Sequence, residues 1–143
     1  MILVQYAAEG NRLINELAYE LGCDKKRAFR VFRSILHAVR DRMPPDDAIE
    51  FAQGLPIIFK GVFLDQYDIS NTPVRIRRAD DFLNFIYLKA GRPAPLDFPD
   101  RQSIRNALSS VFFVLENHMD FGQINHVKNL LNRELVEMIE EYQ

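Results

Sequence analysis

The sequence predicts an all-α fold of about eight helices, arranged as two similar helical units packed into one domain. Apolar residues recur at spacings of three and four, the pattern of a helix with one buried face. Prolines and glycines interrupt these segments and end the helices. The apolar register of residues 28–64 returns 76 residues later, in residues 104–140. These observations predict a single domain over residues 1–143, with an internal duplication.

The predicted units cover residues 10–64 and 79–143, and residues 65–78 form the linker between them. A chain of 143 residues is long enough to bury one hydrophobic core. Its 48% apolar and 27% charged residues are typical of a globular protein, and the net charge of −2 indicates no preference for a polyanion. Cys23 is the only cysteine, which excludes an intramolecular disulfide and a multi-cysteine zinc site.

The first unit begins with a short helix over residues 11–22, which ends in a glycine. The strongest periodicity, over residues 25–43, predicts a long helix that Pro44 and Pro45 stop. One face of this helix is expected to be buried and carries Ala28, Phe29, Phe32, Ile35, Leu36, Val39 and Met43. Acidic residues then favour the start of a short helix, because carboxylates stabilise helix N-termini. Pro56 suits the first position of a further helix that reaches about Leu64.

The second unit repeats this order of helices. A helix over residues 80–91 again ends in a glycine, and a proline-rich stretch follows at residues 92–99. A long helix from about Arg101 to Met119, a break at residues 120–122 and a short helix come next. Asn132 is a suitable cap for the last helix.

The duplication is one of apolar register and helix ends rather than of residue identity. At the offset of 76, residues 28–64 share only three identical positions with their counterparts. The identical pairs are Ser34 and Ser110, Met43 and Met119, and Leu55 and Leu131. Any two helical hairpins share some apolar matches, so the prediction depends on the ungapped register and the matching breaks.

The segment Ile35–Ala48, followed by Gln53–Pro56 and Lys60–Phe63, resembles the DUF2267 family, a set of small bacterial proteins of unknown function. Residues 107–135 resemble the C-terminal half of that family, and the resemblance as a whole covers about residues 10–140. It supports the predicted fold and implies no active site.

One face of the long helix over residues 25–43 is basic. At about 100° per residue, its members fall within a narrow arc opposite the apolar side. They are Lys26, Arg30, Arg33, His37 and Arg40. With Arg75, Arg77 and Arg78 from the linker, this face is a candidate site for phosphate or nucleic acid. The favoured interpretation is an ordinary solvated face whose charges pair with Asp41, Asp46 or the acidic C-terminal helix.

The other polar residues predict little chemistry. His37, His118 and His126 are the only histidines and lack the spacing of metal ligands, so we expect no metal site and no cofactor. The carboxylates of residues 46, 47 and 50 are expected to stabilise a helix start. Cys23 has no neighbouring base that would make it a nucleophile.

The aromatic residues at helical spacing are expected in the core. They are Phe59, Phe63, Phe82, Phe85 and Phe112. Residues 63–67, Phe98 and Phe121 lie at element ends. They would form a partner-binding patch if exposed together, and pack into the seam between the units otherwise.

The sequence therefore favours a non-enzymatic binding or protein-interaction module of the DUF2267 type, with a protein partner or a second copy of the chain. Nucleic-acid or phosphate binding through the basic face is one alternative. An enzyme with a pocket between the units, using His37 or His118 as acid–base group, is another. The short apolar start and the lack of a membrane-length apolar run predict a cytoplasmic protein without membrane contact.

Overall fold

The computed structural model describes residues 2–131 and 133–140, and over these residues the chain is helical and contains no strand. The helices are α1 (Ile2–Leu21), α2 (Lys25–Arg42), α3 (Pro45–Gly54), α4 (Ile57–Leu64), α5 (Ala79–Ala90), α6 (Ala94–Asp97), α7 (Arg101–Leu115), α8 (Phe121–Leu130) and α9 (Arg133–Glu140), with a 3₁₀ turn at Ile69–Asn71. The predicted all-α fold is confirmed. The predicted cap at Asn132 lies outside the described residues.

The two long helices of the predicted units begin with the same local device. Asp24 accepts a hydrogen bond from the Arg27 amide at 2.8 Å and caps α2. Asp100 accepts one from the Ser103 amide at 2.7 Å, and Ser103 returns the contact to complete a capping box at α7. Each aspartate satisfies an amide that the first turn of a helix leaves unpaired.

Several helix limits differ from those predicted. Helix α1 begins at Ile2, nine residues before the predicted start, and continues through Gly10. A Cβ atom at Gly10 would lie 2.7 Å from Cγ2 of Ile58, so the glycine lets α1 approach α4 closely. Helix α7 ends at Leu115 rather than Met119, because turns follow it. The proline-rich stretch contains the single turn of α6.

The two halves of the chain have matching helices. The first residues of α2, α3 and α4 each stand 76 residues before those of α7, α8 and α9. Helix α1 packs against both α2 and α7, α5 packs against the same two helices, and α3 meets α8. The halves therefore interlock over one core. The duplication of the sequence itself stays a prediction.

Most of the aromatic residues that were expected in the core lie there. Phe59, Phe63, Phe82 and Phe112 are buried, and Phe85 packs at the edge of the core. The aromatic residues at the element ends do not form the alternative of a shared exposed patch, because Phe63 and Phe98 are buried while Phe121 is 76% exposed.

Phe29 was expected on the buried face of the long helix, and this expectation is wrong. Its side chain is 37% exposed, because it stands at the edge where α2 meets α1 and α4. Its place in a surface groove is described below.

Helix α2 is buried on all its sides over residues 34–41. It contacts α1, α4, α5, α6 and α7, so neighbours from both halves surround it. Its polar residues here, Ser34, His37, Arg40 and Asp41, are buried along with the apolar ones. Buried polar groups must be hydrogen-bonded to be tolerated, so their contacts determine how the surrounding elements are placed.

Arg40 is the largest of the fully buried side chains, at 1% exposure. Its Nε donates to Oδ1 of Asp41 at 2.8 Å, and its Nη1 donates to the carbonyl oxygens of Phe63 and Asp65, each at 2.8 Å. The guanidinium also lies 4.7 Å from the centre of the Tyr67 ring. Arg40 thus binds carbonyl oxygens at the C-terminal end of α4. Such oxygens have no amide partner within the helix, and the helix dipole favours a cation at this end.

Asp41 connects Arg40 to the second half of the chain. Its Oδ2 lies 2.5 Å from Nζ of Lys89 in α5, and its backbone oxygen accepts from the Val74 amide at 2.7 Å. The linker contains no strand at residues 74–77, and this bond attaches it to the end of α2. We call Arg40, Asp41 and Lys89 the buried ionic cluster.

Replacing Arg40 with methionine is expected to lower the free energy of unfolding by about 3 kcal/mol, because it removes one of the two cations on the buried Asp41 carboxylate and the donor to two carbonyl oxygens. Urea unfolding followed by circular dichroism measures the loss. The control is Arg12→Met on the exposed side of α1, which should change the free energy by no more than about 0.5 kcal/mol. Equal, small effects of both substitutions would contradict the structural role given to Arg40.

Candidate functional site

A continuous groove runs along the surface where α1, α2 and α4 meet. One part of it, of about 310 Å³, lies between α1 and α4 and includes Gly10, Phe29 and Ile58. A second part, of about 450 Å³, follows the N-terminal end of α2. Both parts share Asn11, Ile14 and Phe29, so they form one surface, which we call the α1–α2–α4 groove.

The floor of the groove is apolar although it faces solvent. Phe29 is 37% exposed and Ile58 is 46% exposed. Ala7 also lines the groove, and Leu3 and Val4, one turn before it on the same face of α1, are both exposed. Exposed apolar residues that join into one patch are typical of an interaction surface, whereas scattered ones are not.

The rim of the groove at the N-terminal end of α2 is basic. Lys25 and Lys26 line it and are exposed, and no carboxylate among the described residues forms an ion pair with either. Because neither ammonium group is neutralised within the described part of the chain, both are available to an acidic ligand.

Arg30 also lines the groove, but its positive charge is already paired with the carboxylate of Asp97. Its Nε lies 2.9 Å from Oδ2 of Asp97 and its Nη2 lies 2.7 Å from Oδ1, a two-point contact that raises the pKa of Arg30. The carboxylate of Asp97 is fully buried, and Arg27 donates to its backbone oxygen at 3.1 Å. Arg30 therefore joins α2 to α6, and its loss would leave a buried carboxylate unpaired.

The predicted basic face is thus divided by the fold. Of its five members, Lys26 is exposed on the groove rim, and Arg30 is paired with Asp97. Arg33 donates to Oε1 of Gln66 at 2.9 Å and lies 3.5 Å from the Asp65 carboxylate. These contacts hold α2 to the turn after α4.

The expectation that His37 and Arg40 lie on an exposed face is wrong. Their exposures are 3% and 1%, because α4 and the linker cover this side of α2. The paired-charge alternative is correct for Arg40, which binds Asp41. The bond from Val74 to Asp41 places this part of the linker, with the neighbouring Arg75, at the C-terminal end of α2. The helical rise from Lys26 to Asp41 is about 22 Å, so Arg75 does not extend the rim.

His37 is a neutral structural donor. Burial lowers its pKa to about 4, and its Nε2 lies 2.7 Å from the backbone oxygen of Val62. The neutral ring therefore donates from Nε2 to this carbonyl. A buried imidazole held in this way has no access to a substrate, so it does not suit the acid–base role considered from the sequence.

His118 is also engaged away from the groove. Its Nε2 lies 2.7 Å from Oε2 of Glu16, and its side chain is only 11% exposed. The charged groups that line the groove are Lys25, Lys26 and Arg30, with no carboxylate or imidazole among the described lining residues.

Helical architecture and an apolar groove with a basic rim define a small all-α protein with a surface suited to binding. Residues 10–138 match the family described as "Uncharacterized conserved protein (DUF2267)", and the chain belongs to this family. No curated protein matches the chain. None of the described helices has the length and apolar character needed to cross a membrane.

Sequence reasoning missed the groove because it placed Phe29 in the core. The signal that would have found it is Gly10, a glycine inside a helix. Such a residue lowers helix stability by about 1 kcal/mol and therefore marks a packing reason, here the close approach of α1 and α4.

The pKa of His37 predicts a pH dependence of stability. The unfolded chain takes up a proton as pH falls through about 6.5, while the folded protein does not until about pH 4. The free energy of unfolding therefore decreases as the pH falls from about 6.5 to about 4. His37 contributes up to about 1.4 kcal/mol per pH unit to this decrease.

Urea unfolding of the wild type and His37→Gln at several pH values isolates this effect, because glutamine keeps a donor for the Val62 carbonyl but does not titrate. The wild type is expected to lose about 2–3 kcal/mol more than the variant between roughly pH 7 and pH 4. Parallel pH profiles would show that His37 titrates normally in the folded state.

Proposed function

We propose that this protein is a non-enzymatic interaction module whose α1–α2–α4 groove binds an acidic amphipathic helix of a partner protein. The observation that carries the proposal is the combination of an exposed apolar floor with two lysines that have no ion pair among the described residues. Apolar grooves commonly receive the apolar face of a helix, with anchors spaced by three and four residues.

The positive charge of the rim favours a partner helix that carries negative charge. Lys25 and Lys26 stand beside Phe29, so a helix that buries apolar anchors here brings its flank near both ammonium groups. Acidic residues on that flank gain complementary contacts and a faster encounter, while basic residues are repelled. The groove therefore favours a helix with carboxylates beside its apolar stripe.

A second copy of the chain is a poorer occupant than a different protein. Helix α3 has three carboxylates and no basic residue, but Ile49 is its one large exposed apolar residue. Helix α9 turns its apolar residues Leu135, Met138 and Ile139 into its own core. The apolar start of α1 is exposed but carries Glu9 as its only acidic residue before Gly10. None of these helices presents an apolar stripe with acidic residues beside it.

Phosphate or nucleic-acid binding remains a lesser proposal, supported by the same two lysines. Of the other predicted cations on α2, Arg30 and Arg33 are paired and His37 and Arg40 are buried. Two lysines make few phosphate contacts, so a binding slope of about two in log salt is expected at most.

Three further expectations are part of the proposal. The matching starts of the helix triplets support a duplicated helical unit as the origin of the two halves. The sole cysteine, Cys23, is unpaired, which suits a reducing, cytoplasmic setting. A bacterial source stays a prediction from the family resemblance.

A fluorescent peptide of about 15 residues, roughly four helical turns, tests the proposal. It carries leucines at helical spacing and glutamates on one flank, and binding is followed by fluorescence anisotropy. We expect Ile58→Glu and Lys26→Glu each to weaken binding at least tenfold, about 1.4 kcal/mol, because they remove an apolar contact and reverse the rim charge.

The matched controls are Ile49→Glu on α3, since Ile49 is 42% exposed, and Arg75→Glu in the linker. Both should bind the peptide like the wild type. A peptide with lysines in place of the glutamates should bind less tightly. The proposal fails if the acidic peptide does not bind, if the controls weaken binding equally, or if a labelled oligonucleotide binds the rim more tightly than the peptide.

A further inference from the structure

The seam between α3 and α8 brings together three side chains that the sequence did not group. Asp47 and Glu50 stand one turn apart on α3, and His126 stands on α8. One ligand atom of each lies within 4.8 Å of the ligand atoms of the other two. Glu50 and His126 line a surface groove of about 220 Å³ at this seam, well away from the α1–α2–α4 groove.

The distances suit a small divalent metal ion. Nε2 of His126 lies 3.0 Å from Oδ1 of Asp47. Two ligands of a tetrahedral zinc ion stand about 3.3 Å apart when each is about 2.0 Å from the metal. The exposed Glu50 side chain needs only a change of rotamer to complete the set.

The ligand types select the metal. One imidazole nitrogen with two carboxylate oxygens is a donor set for zinc and similar first-row ions, whereas magnesium and calcium prefer oxygen alone. Asp120 also lines this groove, at the start of α8.

The position of the cluster follows from the arrangement of the two halves. Glu50 and His126 are separated by the same 76 residues that separate α3 from α8, as are Asp47 and Gln123. At this seam the end of the Gln123 side chain occupies the space beside Gly54 that a Cβ atom would take. Equivalent positions on facing helices therefore converge on one point.

We propose that Asp47, Glu50 and His126 bind one zinc ion that joins the two halves of the protein at the α3–α8 seam. Bound zinc replaces the proton-dependent contact between His126 and Asp47 with coordination bonds from both helices. Because zinc binds the folded protein and the unfolded chain lacks the assembled site, the ion stabilises the fold. The interaction proposed for the α1–α2–α4 groove does not depend on it.

Zinc affinity is measured on the chelator-treated full chain without a histidine tag, by competition with a fluorescent zinc indicator. We expect one zinc per chain and a midpoint of thermal unfolding raised by about 5–10 °C at 100-fold excess over the dissociation constant. His126→Ala and Glu50→Gln are each expected to weaken zinc binding at least tenfold. Magnesium should bind far more weakly.

The chain offers a matched control in His118, which contacts Glu16 at a similar distance but belongs to no group of three ligands among the described residues. His118→Ala and Cys23→Ser should keep the zinc affinity of the wild type. Cobalt substitution gives a second readout, a tetrahedral visible spectrum that His126→Ala abolishes. The proposal is overturned if zinc does not bind, or if the control substitutions weaken binding as much as His126→Ala.

Discussion

The fold depends on the burial of one positive charge, that of Arg40, inside the interface between the two halves. A guanidinium so placed is tolerated only where its donors and its charge are matched. Asp41 supplies the charge, and the carbonyls of Phe63 and Asp65 at the end of α4 supply acceptors. Lys89 then binds the same carboxylate from α5. This buried ionic cluster therefore fixes three features together: the direction in which the chain leaves α4, the path of the linker and the position of α5.

This constraint divides α2 into two ends with different roles. The C-terminal end, with His37 and the buried ionic cluster, is enclosed and serves stability. The N-terminal end, with Lys26 and Phe29, stays at the surface and forms one wall of the groove. The cations of a continuous helical stripe are therefore not one binding site. At Gly10 and at Gly54 a neighbouring side chain takes the space of a Cβ atom, and a candidate site lies nearby.

Local signals predicted most of the fold, and contacts between distant segments account for what was missed. The predicted starts of α2 and α7 are confirmed, and both depend on local contacts, since Asp24 and Asp100 cap these helices through their own side chains. The burial of Arg40 was missed because a helical arc shows which residues share a face, but not that α4 and α5 cover it. The cluster at the α3–α8 seam was accessible in principle, since the offset of 76 pairs Glu50 with His126. The sequence does not show that α3 and α8 pack against each other, and this contact is what brings Glu50 and His126 together.

Amide hydrogen exchange of the wild type and an Arg40→Gln variant, resolved residue by residue, tests most directly whether the buried charge holds the linker and the halves together. The account predicts that the variant loses protection first at the end of α4, at the Val74 amide and in α5, while α8 exchanges as in the wild type. Unchanged protection at Val74 and α5 would contradict it, because the linker and the second half would then be held by other contacts.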